Sequence, residues 1–284
     1  MKIVDNVPAM RVLTNLGRTD RAIGRSTVRL SSGYRINTAG DDPAGFAISL
    51  KLRRQVGAME MADRNTLDGT SLLETADAAM QVLSDMLNRI RELAVAAAND
   101  TYDAGNRQTM QREVDALLDE INDTTRKVEF NNIRLLDGEA KDLHIQVGGR
   151  KGMTIVLNLP SFTTWSLDLT GPQWHINDTT PNNKISVENS QNAQETITKI
   201  DNALEVISER RGSVGAYMNR FEYTSSNLRA SVEATSRSLS RIMDTDMAYE
   251  MMELSKHNIL SQAGMSIMAQ LNARPQQVLQ LLGR

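Results

Sequence analysis

Apolar residues recur at alternating spacings of three and four over long stretches of this chain. Within 46–98 the series is Leu73, Ala76, Met80, Leu83, Leu87, Ile90, Ala94 and Ala97. After a polar break at 99–105 it resumes within 106–129 as Met110, Val114, Leu117, Ile121, Thr124 and Val128. The longest series is Ile197, Ile200, Leu204, Ile207, Arg211, Val214, Met218, Phe221, Ser225, Leu228 and Val232, extended by Leu239 and Ile242. A mean spacing of ~3.5 is the seam of supercoiled helices. One helix over 193–243 would be roughly 75 Å long at ~1.5 Å per residue, which predicts a rod. Its expected core seam is Leu83, Leu87, Ile90, Leu117, Ile121, Leu204, Ile207, Met218, Phe221 and Leu228. Asp42 before Pro43 predicts one helix start, and Asn192 with Glu195 predicts another.

Between 131 and 188 the period changes. Leu143, Ile145 and Val147 alternate with polar residues, Gly148-Gly149 follow, and Thr154–Leu157 is rich in β-branched residues. This predicts a β-hairpin within 133–159. Residues 158–188 carry Pro160, Pro172 and Pro181 among Ser, Thr and Asn clusters, without periodicity, and predict a loop or short irregular strand, exposed at the surface over 160–185. The two ends, 1–35 and 255–282, have thin apolar stripes: Leu13, Leu16, Ile23 and Leu30 at one end, Leu260, Gly264, Ile267 and Leu271 at the other. Packing supplies most helical stability, so such helices need partners, either each other or other copies. The expected fold is mainly α: a long antiparallel helical bundle or coiled-coil rod with paired terminal helices and a small β-hairpin region. Residues 1–45 with 250–284 would form the terminal-helix domain, 46–159 with 188–249 the rod, and 160–187 a short outer loop.

Composition narrows the chemistry. Aromatics are 4% of 284 residues while Met contributes 15, which does not suit the large layered core of a globular enzyme. The net charge of −3 gives no general attraction to nucleic acid or anionic membrane. The absence of Cys excludes disulfides, thiolate catalysis and cysteine metal sites. No stretch approaches the ~20 apolar residues of a membrane span, and the charged first 25 residues argue against a cleaved secretory signal peptide. His144, His175 and His257 lie far apart, none with an acidic or His partner three or four residues on. The glycine run 148–152 lacks the spacing of a phosphate cradle, and Asp41-Asp42 reads as a turn and helix cap. Asn99, Asn122 and Asn177 begin Asn-x-Thr sequons, which arise readily by chance. The residues present suggest no enzyme, metal or cofactor.

The block Leu30-Ser-Ser-Gly-Tyr-Arg-Ile-Asn-Thr-Ala-Gly-Asp-Asp-Pro-Ala-Gly-Phe-Ala-Ile-Ser49 resembles the signature of bacterial flagellin. The resemblance continues through Asn65, Asp68 and Gly69, the run Arg89 to Val95, Phe130-Asn131-Asn132, Leu135-Leu136 and Ile145 to Gly148. It resumes at Gly215-Ala216, Asn219 to Glu222 and Asn227-Leu228, and closes with Asp246 to Ala248, Ile259 to Gly264 and Pro275 to Leu282. Most of the chain is covered, in order. The stretch without counterpart is roughly 160–190, where flagellins carry variable outer domains. Pro43 stands where the family commonly has Ala, Asp5 and Pro8 alter the first segment, and the tail ends Leu-Leu-Gly-Arg.

The resemblance implies a structural subunit, not an enzyme, in which many copies form an extracellular helical filament for motility. It implies that the terminal helices pair as an inner tube, with Leu13, Leu16, Ile23, Leu30, Leu260, Ile267 and Leu271 as the terminal-helix assembly residues. It also implies type III export without cleavage, an export chaperone, and hook-associated and cap proteins as neighbours. Arg89, Leu93 and Glu113 fall on the positions by which the flagellin-sensing Toll-like receptor recognises this family. Two alternatives stand beside the filament subunit: a hook–filament junction protein of the same family, and a secreted coiled-coil effector.

Overall fold

The computed structural model describes residues 7–170 and 184–282, with side chains as far as residue 273. His175, Asn177, Pro172 and Pro181 therefore lie outside the described residues. The helices are α1 (Val7–Ser32), α2 (Pro43–Ala97), α3 (Ala104–Lys127), α4 (Ser190–Met243) and α5 (Met247–Leu282). The strands are β1 (Glu129–Phe130), β2 (Ile133–Arg134), β3 (Leu143–Gln146) and β4 (Thr154–Leu157). The fold is mainly α, with paired terminal helices and two small antiparallel strand pairs. It divides into two compact units, Met1–Val56 with Glu233–Arg284, and Gly57–Val232. No helix among the described residues is long and apolar enough to cross a membrane.

In the first unit α1 and α5 pack antiparallel, with Leu16 against Gly264 and Arg29 against Glu250. Small residues sit in this contact: Ser26 is buried in α1, and Gly264 of α5 leaves room for Leu16. Gly33 ends α1 at φ +74°, its N–H donating to the Arg29 carbonyl at 2.8 Å. That left-handed stop favours glycine. The following residues zip onto the α4–α5 corner. Tyr34 bridges Asp244, the Arg35 N–H donates to the Met243 carbonyl at 2.6 Å, and the Thr245 N–H donates to the Gly33 carbonyl at 3.0 Å. Asp42 caps α2 by accepting from the Gly45 N–H at 3.0 Å, as its place before Pro43 predicts. Asp246 caps α5 through the Ala248 and Tyr249 N–H groups.

In the second unit α2 runs antiparallel to α3 and α4. Arg211 meets Asp77 at 2.8 Å and Arg91 meets Asp201 at 2.6 Å, stepping in opposite directions along α2 and α4. The buried stripe of α2 is Leu73, Ala76, Met80, Leu83, Leu87, Ile90, Ala94 and Ala97, as predicted. The predicted seam needs correction on the other two helices. On α3 the buried series is Gln111, Val114, Leu118, Ile121 and Thr125, which leaves Leu117 half-buried beside it. Gln111 is drawn inward because its Oε1 accepts from the Val187 N–H at 2.7 Å. On α4, Ile200, Ala203, Ile207, Val214 and Phe221 are buried, while Leu204, Met218 and Leu228 are half-buried. The reason is geometric: α4 packs against more than a helix. Phe221 touches Gly69 of α2, and the hairpin's Ile145 approaches the same spot, so the covered stripe is broader than a two-helix seam.

The predicted hairpin is β3 paired with β4, in the register Leu143↔Leu157 to Gln146↔Thr154. The β1–β2 pair was not expected. Asn131 and Asn132 turn it at φ 49° and 64°, the two positive angles that a tight hairpin turn requires. In the described parts of 158–188, residues 158–170 and 184–188, the chain is irregular as expected but not surface-exposed throughout. Leu159, Phe162, Leu167 and Leu169 are buried, as are Ile185 and Val187 beyond the undescribed part. Specific hydrogen bonds hold this irregular segment in place of periodic packing. Leu159 N–H donates to Ala140 O, Phe162 N–H to Leu136 O, and the Thr164 hydroxyl to Asn122 Oδ1 at 3.0 Å. Helix α4 begins at Ser190, earlier than predicted, so Asn192 lies inside it rather than capping it.

Candidate functional site

Helix α5 carries apolar residues on several sides, between exposed polar ones such as Lys256, Asn258 and Gln262, and a single partner can cover only one stripe of such a helix. Leu254, His257, Gly264, Met268 and Leu271 are half-buried, on the side toward α1. Tyr249, Met252, Ile259, Leu260 and Ile267 remain exposed, Ile259 at 65%. The C-terminal stripe read from the sequence is thus split: Gly264 and Leu271 turn inward, whereas Leu260 and Ile267 do not. α1 behaves likewise. Leu16, Ile23 and Leu30 are half-buried, while Leu13 is 60% exposed with Met10 and Val28. So many exposed large apolar side chains on two paired helices make this surface a candidate interaction site.

Polar groups fix where this surface sits. Glu250 is 5% exposed and lies 3.6 Å from Arg29, which ties α5 to α1 next to the capped corner. His257 Nε2 lies 3.5 Å from Glu253, four residues before it, which leaves the reading of a hydrogen-bonded imidazole in place. Before α2, Asp41 accepts from the Thr38 and Asn37 N–H groups and from the Thr38 hydroxyl. These donors, Thr38 first, hold its carboxyl below the ordinary carboxylate value. Asp41 and Asp42 therefore act as turn and cap. Among the described residues no cluster of three or more His, Asp or Glu could hold a metal ion.

The second candidate surface lies on α2 and α3. Arg89 reaches Glu113 at 2.9 Å and Glu92 at 3.0 Å, all three largely exposed. These bonds, Glu113 first, raise the guanidinium pKa further above its ordinary value. Arg89 and Glu113 are brought together, as a shared site requires. Leu93 is not with them: at 7% exposure it belongs to the core between the helices, so it offers no apolar surface contact in this conformation. Its place next to Ala94 in the buried stripe explains this, because the third helix widens that stripe by one position.

The exposed Met10, Met252 and Ile259 were missed as site residues. The available signal was the scarcity of charge on all sides of 247–271, not the spacing of any one stripe.

Comparison with known proteins agrees with this architecture. The family model "Bacterial flagellin N-terminal helical region" matches residues 3–141, and "Bacterial flagellin C-terminal helical region" matches 197–282. The chain is 39% identical to a flagellin of Bacillus subtilis (strain 168) over 99% of this chain and 100% of that protein. It is likewise 39% identical to a flagellin of Halalkalibacterium halodurans, with the same coverage. A solved structure described as a putative flagellar hook-associated protein from Vibrio parahaemolyticus shares the fold. It has a TM-score of 0.57 and 15% identity, over 72% of this chain and 100% of that one.

Proposed function

This chain belongs to the bacterial flagellin family, and on that premise we propose that it polymerises into the extracellular flagellar filament used for motility. The observation that supports this most directly is the outward apolar face of the terminal helices, Met10 and Leu13 on α1 with Ile259, Leu260 and Ile267 on α5. Left in water it is a large unfavourable area. Other copies of the chain bury it. Before assembly the same face suits an export chaperone, and thin helices suit passage through the type III export apparatus. At the filament ends, hook-associated and cap proteins meet it instead.

The test is assembly itself. Purified chain should form sedimentable filaments on addition of ammonium sulfate. Ile267→Asp should keep its helical content, since residue 267 is exposed in the free chain, yet remain in the supernatant. An Ile267→Asp variant that polymerised like wild type would reject this face as the contact. Short oligomers that stop growing would favour the hook–filament junction reading.

The free subunit also presents Arg89 and Glu113 as one charged surface. An Arg fork matches carboxylate or carbonyl acceptors on a partner. This supports recognition by the flagellin-sensing Toll-like receptor through these two residues, with Leu93 acting beneath them to hold α2 in place.

A further inference from the structure

The chain has 15 methionines and no cysteine, so thioethers are its only sulfur nucleophiles. Their exposure varies widely, with Met10, Met61 and Met153 exposed elsewhere in the chain. Met80 is fully buried and Met243 nearly so, whereas Met247, Met251, Met252 and Met265 on α5 are 48–64% exposed. All four lie on parts of α5 that α1 leaves uncovered, Met252 on the same face as Ile259 seven residues on and Met247, Met251 and Met265 on the other flank. We propose that the outward methionines of α5 form a peroxide-reactive modification site whose conversion to sulfoxide stops subunit addition. The inference rests on the reading above, that other copies bury this face.

The chemistry is balanced by one peroxide per methionine. A sulfur lone pair attacks one oxygen of hydrogen peroxide, the S–O bond forms as the O–O bond breaks, and the peroxide is reduced to water after proton transfer. The thioether is oxidised to the sulfoxide, and a dithiol-dependent reductase can reverse the change. A flexible apolar side chain that adapts to a partner's surface then carries a strong dipole and an acceptor oxygen. Burying that oxygen without a donor is unfavourable, so the modified face no longer suits an apolar partner. Once assembled, the same sulfurs would be shielded. Free subunits are the sensitive form.

The experiment treats the free full-length chain with dilute hydrogen peroxide, maps oxygen addition by peptide mass spectrometry, and then measures polymer by sedimentation. Met247, Met251, Met252 and Met265 should oxidise at least about tenfold faster than Met80. Polymer yield should fall as they convert and return after treatment with methionine sulfoxide reductases. The fourfold variant with Leu at 247, 251, 252 and 265, read against its own untreated yield, should lose a smaller share of polymer to peroxide than wild type does, since Leu cannot be oxidised in this way. Full polymer yield from chains completely converted at these four positions would overturn the proposal. Equal oxidation of Met80, or a fourfold variant as peroxide-sensitive as wild type, would overturn it too. If the fourfold variant does not assemble, the reductase rescue decides, and unrecovered yield overturns it. Untreated wild type that forms no polymer would instead overturn the filament-subunit reading, so the untreated arm tells the two failures apart.

Discussion

The Phe221 ring lies so close to Gly69 that a Cβ at residue 69 would stand 3.1 Å from two of its carbons. Phe221 is fully buried, and Ile145 closes the other side at 3.5 Å from the same point. Gly69 therefore sets the distance between α2 and α4 at this level of the second unit.

Gly69→Ala tests that relationship. Alanine gains about 1 kcal/mol of helix propensity, while overpacking a closed core costs about 1–3 kcal/mol. The ring has no room to retreat, so the loss should win, with a fall of a few degrees in Tm. In a Phe221→Leu background the same substitution should cost less. Additive losses in that cycle, read from urea denaturation, would mean that ring and glycine do not interact.

The corrected register of α4 makes a second prediction. Ile207 is fully buried and Leu204 half-buried. Ile207→Ala should cost about 2–5 kcal/mol, and Leu204→Ala clearly less, because the neighbouring side chains there already border water. Equal losses by chemical denaturation would show the helix rotated from the position described.

How far the sequence carried this picture differs by element. The stripe of α2 was legible because every buried position on it is apolar, from Leu73 to Ala97. On α3 the apolar alternative, Met110 and Leu117, outranked Gln111 and Leu118. A glutamine is buried there because its amide finds partners that no period signals: Val187, far along the chain, donates to its Oε1, and its Nε2 donates to Asp115. The segment 158–170 was misread for a similar reason: Phe162 and Leu169 are placed by hydrogen bonds to Leu136 and Thr164, which leave no period. Asp42 was legible because a cap is a local device. The outward side of the terminal helices was half legible: Leu13, Leu260 and Ile267 were marked as assembly residues, but the stripe did not show that they point away from the partner helix.

Acid should act on the turn before α2. Asp41 titrates below its ordinary value of 3.8 because Thr38, then Asn37, donate to its carboxylate. A lowered carboxyl pKa contributes stability above the unfolded value, near pH 4, and that contribution disappears as pH falls through the folded value. Asp41→Asn should therefore melt below wild type at pH 7, and the gap should narrow as the pH drops past about 4. Circular dichroism melts across that range, with amide exchange at Thr38, would check it. A gap that stays constant down to pH 3 would show that the carboxylate charge does not hold the turn.

The Arg89–Glu113 pair separates recognition from support. Both side chains are about half exposed, so breaking the pair should leave the melting curve almost unchanged. Leu93 is buried, and Leu93→Ala should lower Tm, so lost signalling from that variant would speak only to the fold. In a receptor reporter assay with monomeric protein, Arg89→Ala and Glu113→Ala should each weaken activation about tenfold if they are contact residues at an interface centre. The charge swap, Arg89→Glu with Glu113→Arg, distinguishes the two roles. It restores an ion pair between α2 and α3 but presents each charge from the wrong helix. Activation should stay low in the swap although its helical content and Tm match wild type. Recovery by the swap would mean that the pair acts only by joining the helices. Equal activation by wild type and both alanine variants would remove Arg89 and Glu113 from the contact, and silence from wild type would reject receptor recognition itself.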